Sequence, residues 1–158
     1  MLLHARALLA SRPEGATAYI DADLRDTGTI LAEAARNLDL GEPVAIMLLG
    51  VLHCIPDSGD PAAIVTRLVD AVRPGSYLTI AHPARDVATD EMAASMREYN
   101  EHVTVPLTAR RHDEVSAFFA GLDLVDPGVV QLHRWRAGTG DPGTGREPAN
   151  YGGVGRKP

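Results

Sequence analysis

Two apolar runs, Val44-Ala45-Ile46-Met47-Leu48-Leu49 and Ser76-Tyr77-Leu78-Thr79-Ile80-Ala81, constrain this chain more than any other feature. Neither alternates strictly with polar residues, which suits strands buried on both faces of a parallel sheet. Between them lies the clearest helix start in the sequence. Asp60 is placed to cap it, and Pro61 occupies the first helical position, where a missing amide costs nothing. Ile64, Val65, Leu68, Val69 and Val72 form its buried stripe, and Arg73-Pro74-Gly75 ends it.

The flanking segments extend the pattern. Thr17 to Ile20 reads as a short strand, followed by a helix from Asp26 and Thr27 to Leu38. Thr89 opens a polar helix to about His102, and another runs from about Arg110 to Ala120, closing at Gly121. Leu122 to Trp135 reads as one long strand, and Tyr151 to Arg156 as a short one paired antiparallel with it. Residues 137–149 form a Gly/Pro-rich loop, and the chain is expected to make one domain over 1–158. Strands alternating with helices and ending in a hairpin predict an α/β sheet, parallel with one antiparallel edge hairpin and helices on both faces.

At the other end, the apolar pattern Leu2, Leu3, Ala5, Leu8, Leu9 is already running at Met1 with no capping residue before it. A frayed terminal helix is one reading; a start inside a helix of a larger domain is the other.

Composition narrows the function classes. The net charge is −6 and the 15 Lys and Arg residues form no block, which argues against nucleic acid as a partner. The longest apolar run is too short to cross a bilayer, so no membrane role is expected. Cys54 is the only cysteine, which excludes an internal disulfide and points to a cytoplasmic setting. No metal-ligand spacing and no nucleophile-elbow motif is present, so a metal site is not expected and a hydrolase is disfavoured.

In open α/β sheets ligands bind beyond the carboxyl ends of the strands. There this sequence places Asp21 and Asp23, then Gly50-Val51-Leu52-His53, then His82-Pro83. Read by itself, Asp23 is more readily a turn or helix-entry residue than a ligand contact, a preference that the resemblance described below reverses. His53 and His82 are candidate general bases, with an unperturbed pKa near ~6.5, or structural hydrogen-bonding residues. Met92 and Met96 read as helix packing rather than as a substrate pocket, and Asp57 as a turn residue.

Taken in order, these segments resemble class I, Rossmann-like methyltransferases that use S-adenosylmethionine. Tyr19 to Asp26 resembles their third-strand motif, Ile46 to Asp57 their fourth, and Arg73-Pro74-Gly75-Ser76-Tyr77-Leu78 the approach to the fifth. The terminal Tyr151-Gly152-Gly153-Val154-Gly155-Arg156-Lys157-Pro158 is similar to the last strand of an actinobacterial S-adenosyl methyltransferase subfamily. The resemblance implies methyl transfer to a small-molecule acceptor. By position it implies that Asp23 accepts the adenine amino group and that the Leu24 backbone lies beside the ring. Leu48 and Leu49 would border the methionine and ribose portions, and Val51 and Leu52 would wall the adenine.

The departures are equally specific. Such enzymes carry a glycine-rich cofactor loop after the first strand and a ribose-binding acid after the second, and neither motif occurs here. The expectation is therefore a partial, amino-terminally truncated sheet whose first two strands are missing, with methyl transfer impaired in the chain. A noncatalytic fragment or interaction module without cofactor binding is the alternative. In the family's strand order the missing pair would leave a gap of about three ~4.8 Å spacings. The open edge would then favour a homodimer.

Overall fold

The computed structural model describes Gly15, residues 17–136 and residues 149–158. The apolar pattern from Leu2 to Leu9 and most of the Gly/Pro-rich loop lie outside the described residues.

The two apolar runs form strands β1 (Ala45–Leu49) and β2 (Tyr77–Pro83), parallel and in register from Ala45 opposite Tyr77 to Leu49 opposite Ala81. The expected connecting helix, α2 (Pro61–Asp70), has the predicted cap, with Asp60 accepting a hydrogen bond from the Ala63 amide at 3.1 Å. Its carboxyl end is closed from far away in sequence. The Lys157 ammonium donates to the Val69 and Val72 carbonyls at 2.9 and 2.8 Å, satisfying groups that a helix end leaves unpaired. Earlier in the chain, α1 (Thr27–Ala34) begins where Asp26 accepts from the Thr29 amide. Later, α3 (Asp90–His102) is capped by Thr89, and α4 (His112–Ala117) is followed by a turn at Gly121 with φ +79°.

Three expectations need correction. Thr17 to Ile20 is irregular, not a strand. Leu122 to Trp135 is not one strand: the Pro127-Gly128 turn splits it into β3 (Asp123–Leu124) and β4 (Val130–Gln131), and a 3₁₀ turn follows at Leu132–Arg134. The last strand, β5 (Asn150–Arg156), pairs antiparallel as expected but sits inside the sheet, in the order β1-β2-β5-β3, with β4 also pairing to it.

The core lies on one sheet face. Leu48, Leu78 and Ile80 pack there with Ile64, Val65 and Leu68 of α2, Val115 of α4, and Phe118 and Phe119. Gly153 and Gly155 let β5 approach this layer: a methyl group on Gly153 would stand 3.0 Å from both Phe119 and Val129. On the opposite face Met47 and Leu49 are 61% and 53% exposed. The expectation that β1 is buried on both faces is therefore not met: only the face with Leu48, buried, and Ile46, partly buried, is covered. The side of β1 away from β2 carries no partner strand among the described residues.

Candidate functional site

Because β1 and β2 are parallel, both deliver their carboxyl ends to the same sheet edge, where the antiparallel β5 begins opposite Pro83. Beyond Leu49 the chain turns at Gly50, whose φ of +63° is a left-handed conformation that only glycine adopts without cost. Its amide still donates to the Ala81 carbonyl at 3.1 Å, holding the turn against β2. A side chain starting at Gly50 would meet only the His53 ring, at 3.9 Å, so the backbone there is open to close approach.

The loop from Leu52 to Asp57 is anchored by a buried cation. Arg110, 3% exposed, donates from Nη1 to the Leu52 carbonyl (3.3 Å) and from Nη2 to the Ile55 carbonyl (2.8 Å) and Asp57 Oδ1 (2.8 Å). Its guanidinium also lies 5.5 Å from the centre of the Phe118 ring, a cation–π contact. Arg110 is delivered by the strand-like pairing of its backbone with β2's end, where its amide donates to the Pro83 carbonyl and the Arg85 amide donates back to its own.

His82 belongs to this anchor. It is the third residue, after Leu78 and Ile80, on the buried face of β2, and it is 1% exposed. Arg110 Nη1 lies 2.8 Å from His82 Nε2, and a guanidinium can only donate. Nε2 is therefore the bare acceptor, and Nδ1 carries the proton and donates to the Pro83 carbonyl at 2.9 Å. Burial pushes the pKa down to about 4, the hydrogen bond to Pro83 opposes it, and the Arg110 charge lowers it further. The ring is neutral at pH 7 with its lone pair engaged, so His82 is a structural group rather than a general base.

His53 stands apart. Its ring is half-buried, edge-on to His82 at 6.2 Å, and its buried Nδ1 has no hydrogen-bond partner. Burial and then the Arg110 charge hold its pKa below 6.5.

The expected cofactor residues divide into two groups. Asp23 is exposed; its Oδ1 accepts from the Arg25 amide at 2.8 Å and its Oδ2 from Arg25 Nη1 at 2.9 Å, which keeps the carboxylate below its ordinary pKa, the amide bond having the larger effect. Arg25 in turn reaches within 4.0 Å of where a Gly59 side chain would start, so the Asp23 segment abuts the loop that follows Val51. Leu24 and Val51 are half-buried against the core, and Leu49 is exposed at the strand end. Leu48 is a core residue, so only its backbone faces the strand end. Leu52 departs from expectation. Its side chain is 0% exposed, packed in the core, and presents no wall to the outside.

One feature of this edge escapes the sequence reading. A cavity of about 280 Å³ opens beside β2's end, between Pro83, Ala84 and Ala109 on one side and Met92, Ala93 and Met96 of α3 on the other. The two methionines thus face a void instead of the core, and α3 has no fully buried residue. Among the described residues, no three His, Cys, Asp or Glu side chains are grouped so as to hold a metal ion. No described helix is long and apolar enough to cross a membrane.

The fold is shared with known proteins. A DUF574 family protein from Streptomyces avermitilis is 40% identical and superposes with a TM-score of 0.90, over 99% of this chain and 61% of its own. A candidate methyltransferase from Thermobifida fusca YX is 35% identical, with a TM-score of 0.82 over 99% of this chain and 59% of its own. The chain therefore spans about three fifths of the length of these relatives. A more distant likeness, in fold alone, is to a Haloferax volcanii structure of the Trm112 methyltransferase activator with a methyltransferase-type partner, at 16% identity, a TM-score of 0.60, and coverage of 100% of this chain and 68% of that one. No curated protein matches the sequence. The family model described as S-adenosyl methyltransferase matches residues 1–158, and with the two close relatives it establishes that this chain belongs to the S-adenosyl methyltransferase family.

Proposed function

We propose that this chain forms the acceptor side and one wall of the cofactor site of an enzyme that methylates a small molecule with S-adenosylmethionine. The observation carrying this reading is the sheet edge itself. The glycine turn open to close approach and the apolar cavity both lie beyond the carboxyl ends of two adjacent parallel strands.

The residues present fit the adenosyl group. Gly50 leaves a cradle that any side chain would fill, and Val51 offers a partly exposed aliphatic surface for a flat ring. Asp23 is solvent-facing, and its two oxygens have lone pairs left over after the bonds from Arg25, enough to accept from an amino group. Leu24 lies next to it, and Leu48 and Leu49 offer backbone groups at the strand end. Bound S-adenosylmethionine supplies an activated methyl group. The chain's own part is then to orient the acceptor and exclude water, which the apolar walls at Ala84, Met92 and Met96 do. His53, whose ring stands 3.9 Å from where a side chain at Gly50 would begin, is the candidate base at this edge, its pKa held below 6.5 by burial and then by the Arg110 charge. A cytoplasmic setting belongs to the same reading, supported by the unpaired Cys54.

The glycine-rich loop and ribose-binding acid are absent from the 158 residues, so the polypeptide is expected to bind the cofactor only weakly, near the millimolar range. Calorimetric titration with S-adenosylmethionine checks this. A micromolar dissociation constant overturns the impairment, and Asp23→Ala then tests the assigned contact by weakening binding about tenfold. No heat at millimolar cofactor favours a noncatalytic module instead. The side of β1 that carries no partner strand among the described residues, with Met47 and Leu49 exposed beside it, supports association with a second copy. Sedimentation that finds only monomer removes that part of the reading.

A further inference from the structure

The cavity beside α3 has a chemistry of its own. Its walls are small or flexible: Ala84, Ala93 and Ala109 leave room, and Met92 and Met96 can repack around a guest. The stripe of α3 that faces inward, Met92, Ala93, Met96 and Asn100, is half-buried throughout and never reaches the core. Such a stripe normally closes against a sheet; here it is held away. Asn100 ties the end of α3 to the loop that follows it, donating to the Leu107 carbonyl at 2.9 Å and accepting from the Leu107 amide at 2.8 Å. Its hydrogen-bonding groups are therefore engaged within the protein.

The charge on the cavity walls is of one sign. Two arginines and no carboxylate line it, on a chain whose net charge is −6. Arg85 is neutralised by Glu114, both of whose carboxylate oxygens it meets at 3.1 Å. Arg97 has no carboxylate partner among the described residues, and it is exposed on the same helix. An apolar hollow with one unengaged guanidinium is complementary to a small apolar body that ends in an anion. The volume, about 280 Å³, falls just below the ~300–1,000 Å³ typical of small-molecule pockets, which suits a small guest.

We infer that this cavity binds a small aromatic or aliphatic carboxylate, its apolar body between Ala84, Met92, Ala93 and Met96 and its carboxylate on Arg97. The identification of that molecule as the methyl acceptor rests on the proposed function; the binding itself does not. Arg97 is then a specificity-determining residue.

Fluorescence titration of the 158-residue polypeptide with 2-naphthoate and its neutral isostere 2-naphthamide tests this. Saturable binding of naphthoate, stronger than that of the amide, is expected. Arg97→Met should weaken naphthoate about tenfold or more while leaving the amide unchanged. Ala93→Phe, which fills the cavity, should abolish both, and circular dichroism checks that each variant is folded. Equal affinity for acid and amide, naphthoate binding that survives Ala93→Phe, or no binding of either probe at millimolar concentration overturns the inference. S-adenosylhomocysteine titrated into the same preparation separates the two readings. Uptake of naphthoate without the nucleoside upholds the anion site and removes only its assignment to the acceptor.

Discussion

The Arg110 guanidinium donates to His82 Nε2 across 2.8 Å, and both side chains are almost wholly excluded from solvent. The pair joins β2 to the loop that follows β1, because the same guanidinium holds the Leu52 and Ile55 carbonyls. A charge is tolerated in this position because its donors have acceptors and a counterion, Asp57, reaches in from the surface.

The first prediction concerns pH. Above about 6.5 the His82 ring is neutral in both folded and unfolded chains, so it adds no pH dependence. Between about 6.5 and about 4 the unfolded chain binds a proton that the native ring refuses, so stability falls as pH falls, by roughly 3 kcal/mol across the window. His53 adds to the loss in the same direction. The carboxylates held low, Asp23, Asp26 and Asp86, act only near and below their ordinary value of 3.8. Urea denaturation at several pH values should therefore give a slope between pH 6.5 and 4 that His82→Gln greatly reduces.

The second separates the two ends of the ion pair. Arg110→Met strands the buried carbonyls of Leu52 and Ile55 and should cost about 2–4 kcal/mol. Asp57, whose side chain is 79% exposed, contributes little through charge, and Asp57→Asn should cost under ~1 kcal/mol. Equal losses in urea unfolding would contradict this division.

The third concerns the space over β5. Gly153→Ala puts a methyl group 3.0 Å from Phe119 and Val129, both of them core residues, and should destabilise by about 1–3 kcal/mol. A thermal melt that matches the parent protein would show that the core yields more readily than its packing suggests.

The fourth concerns Asp60, which caps α2 from a left-handed conformation, φ +47°. Asp60→Ala loses the cap and keeps the backbone strain, for a cost of about 1–2 kcal/mol. Asp60→Asn, able to do both tasks, should be nearly neutral by the same urea assay.

How much of this was legible depended on distance along the chain. Asp60-Pro61, Thr89 and the two apolar runs act on their neighbours, and each appears where the sequence puts it. Pro127-Gly128 within Leu122 to Trp135 is a turn signal, and it outweighs the strand propensity of the residues on either side. Arg110 gave no local sign of its role, since the loop groups it holds lie 53 to 58 residues away. His82 was readable in part: alternation with Leu78 and Ile80 assigns it to the buried face, but only the structure supplies the cation that occupies its lone pair. The positions of Met92 and Met96 fit a helical stripe whether it covers a core or a void, and periodicity does not distinguish the two.

The place of β5 has a consequence for how the molecule is made. The strand that bridges β2 to β3 and β4 is synthesised after all of them. On the ribosome, the flank of β2 away from β1 has no partner until Asn150–Arg156 are translated, and Phe119 waits with it for Gly153 and Gly155, which pack against its ring. A nascent chain stalled before Asn150 would therefore carry a half-sheet with one flank of β2 unpaired, the kind of surface that associates with other unfinished chains.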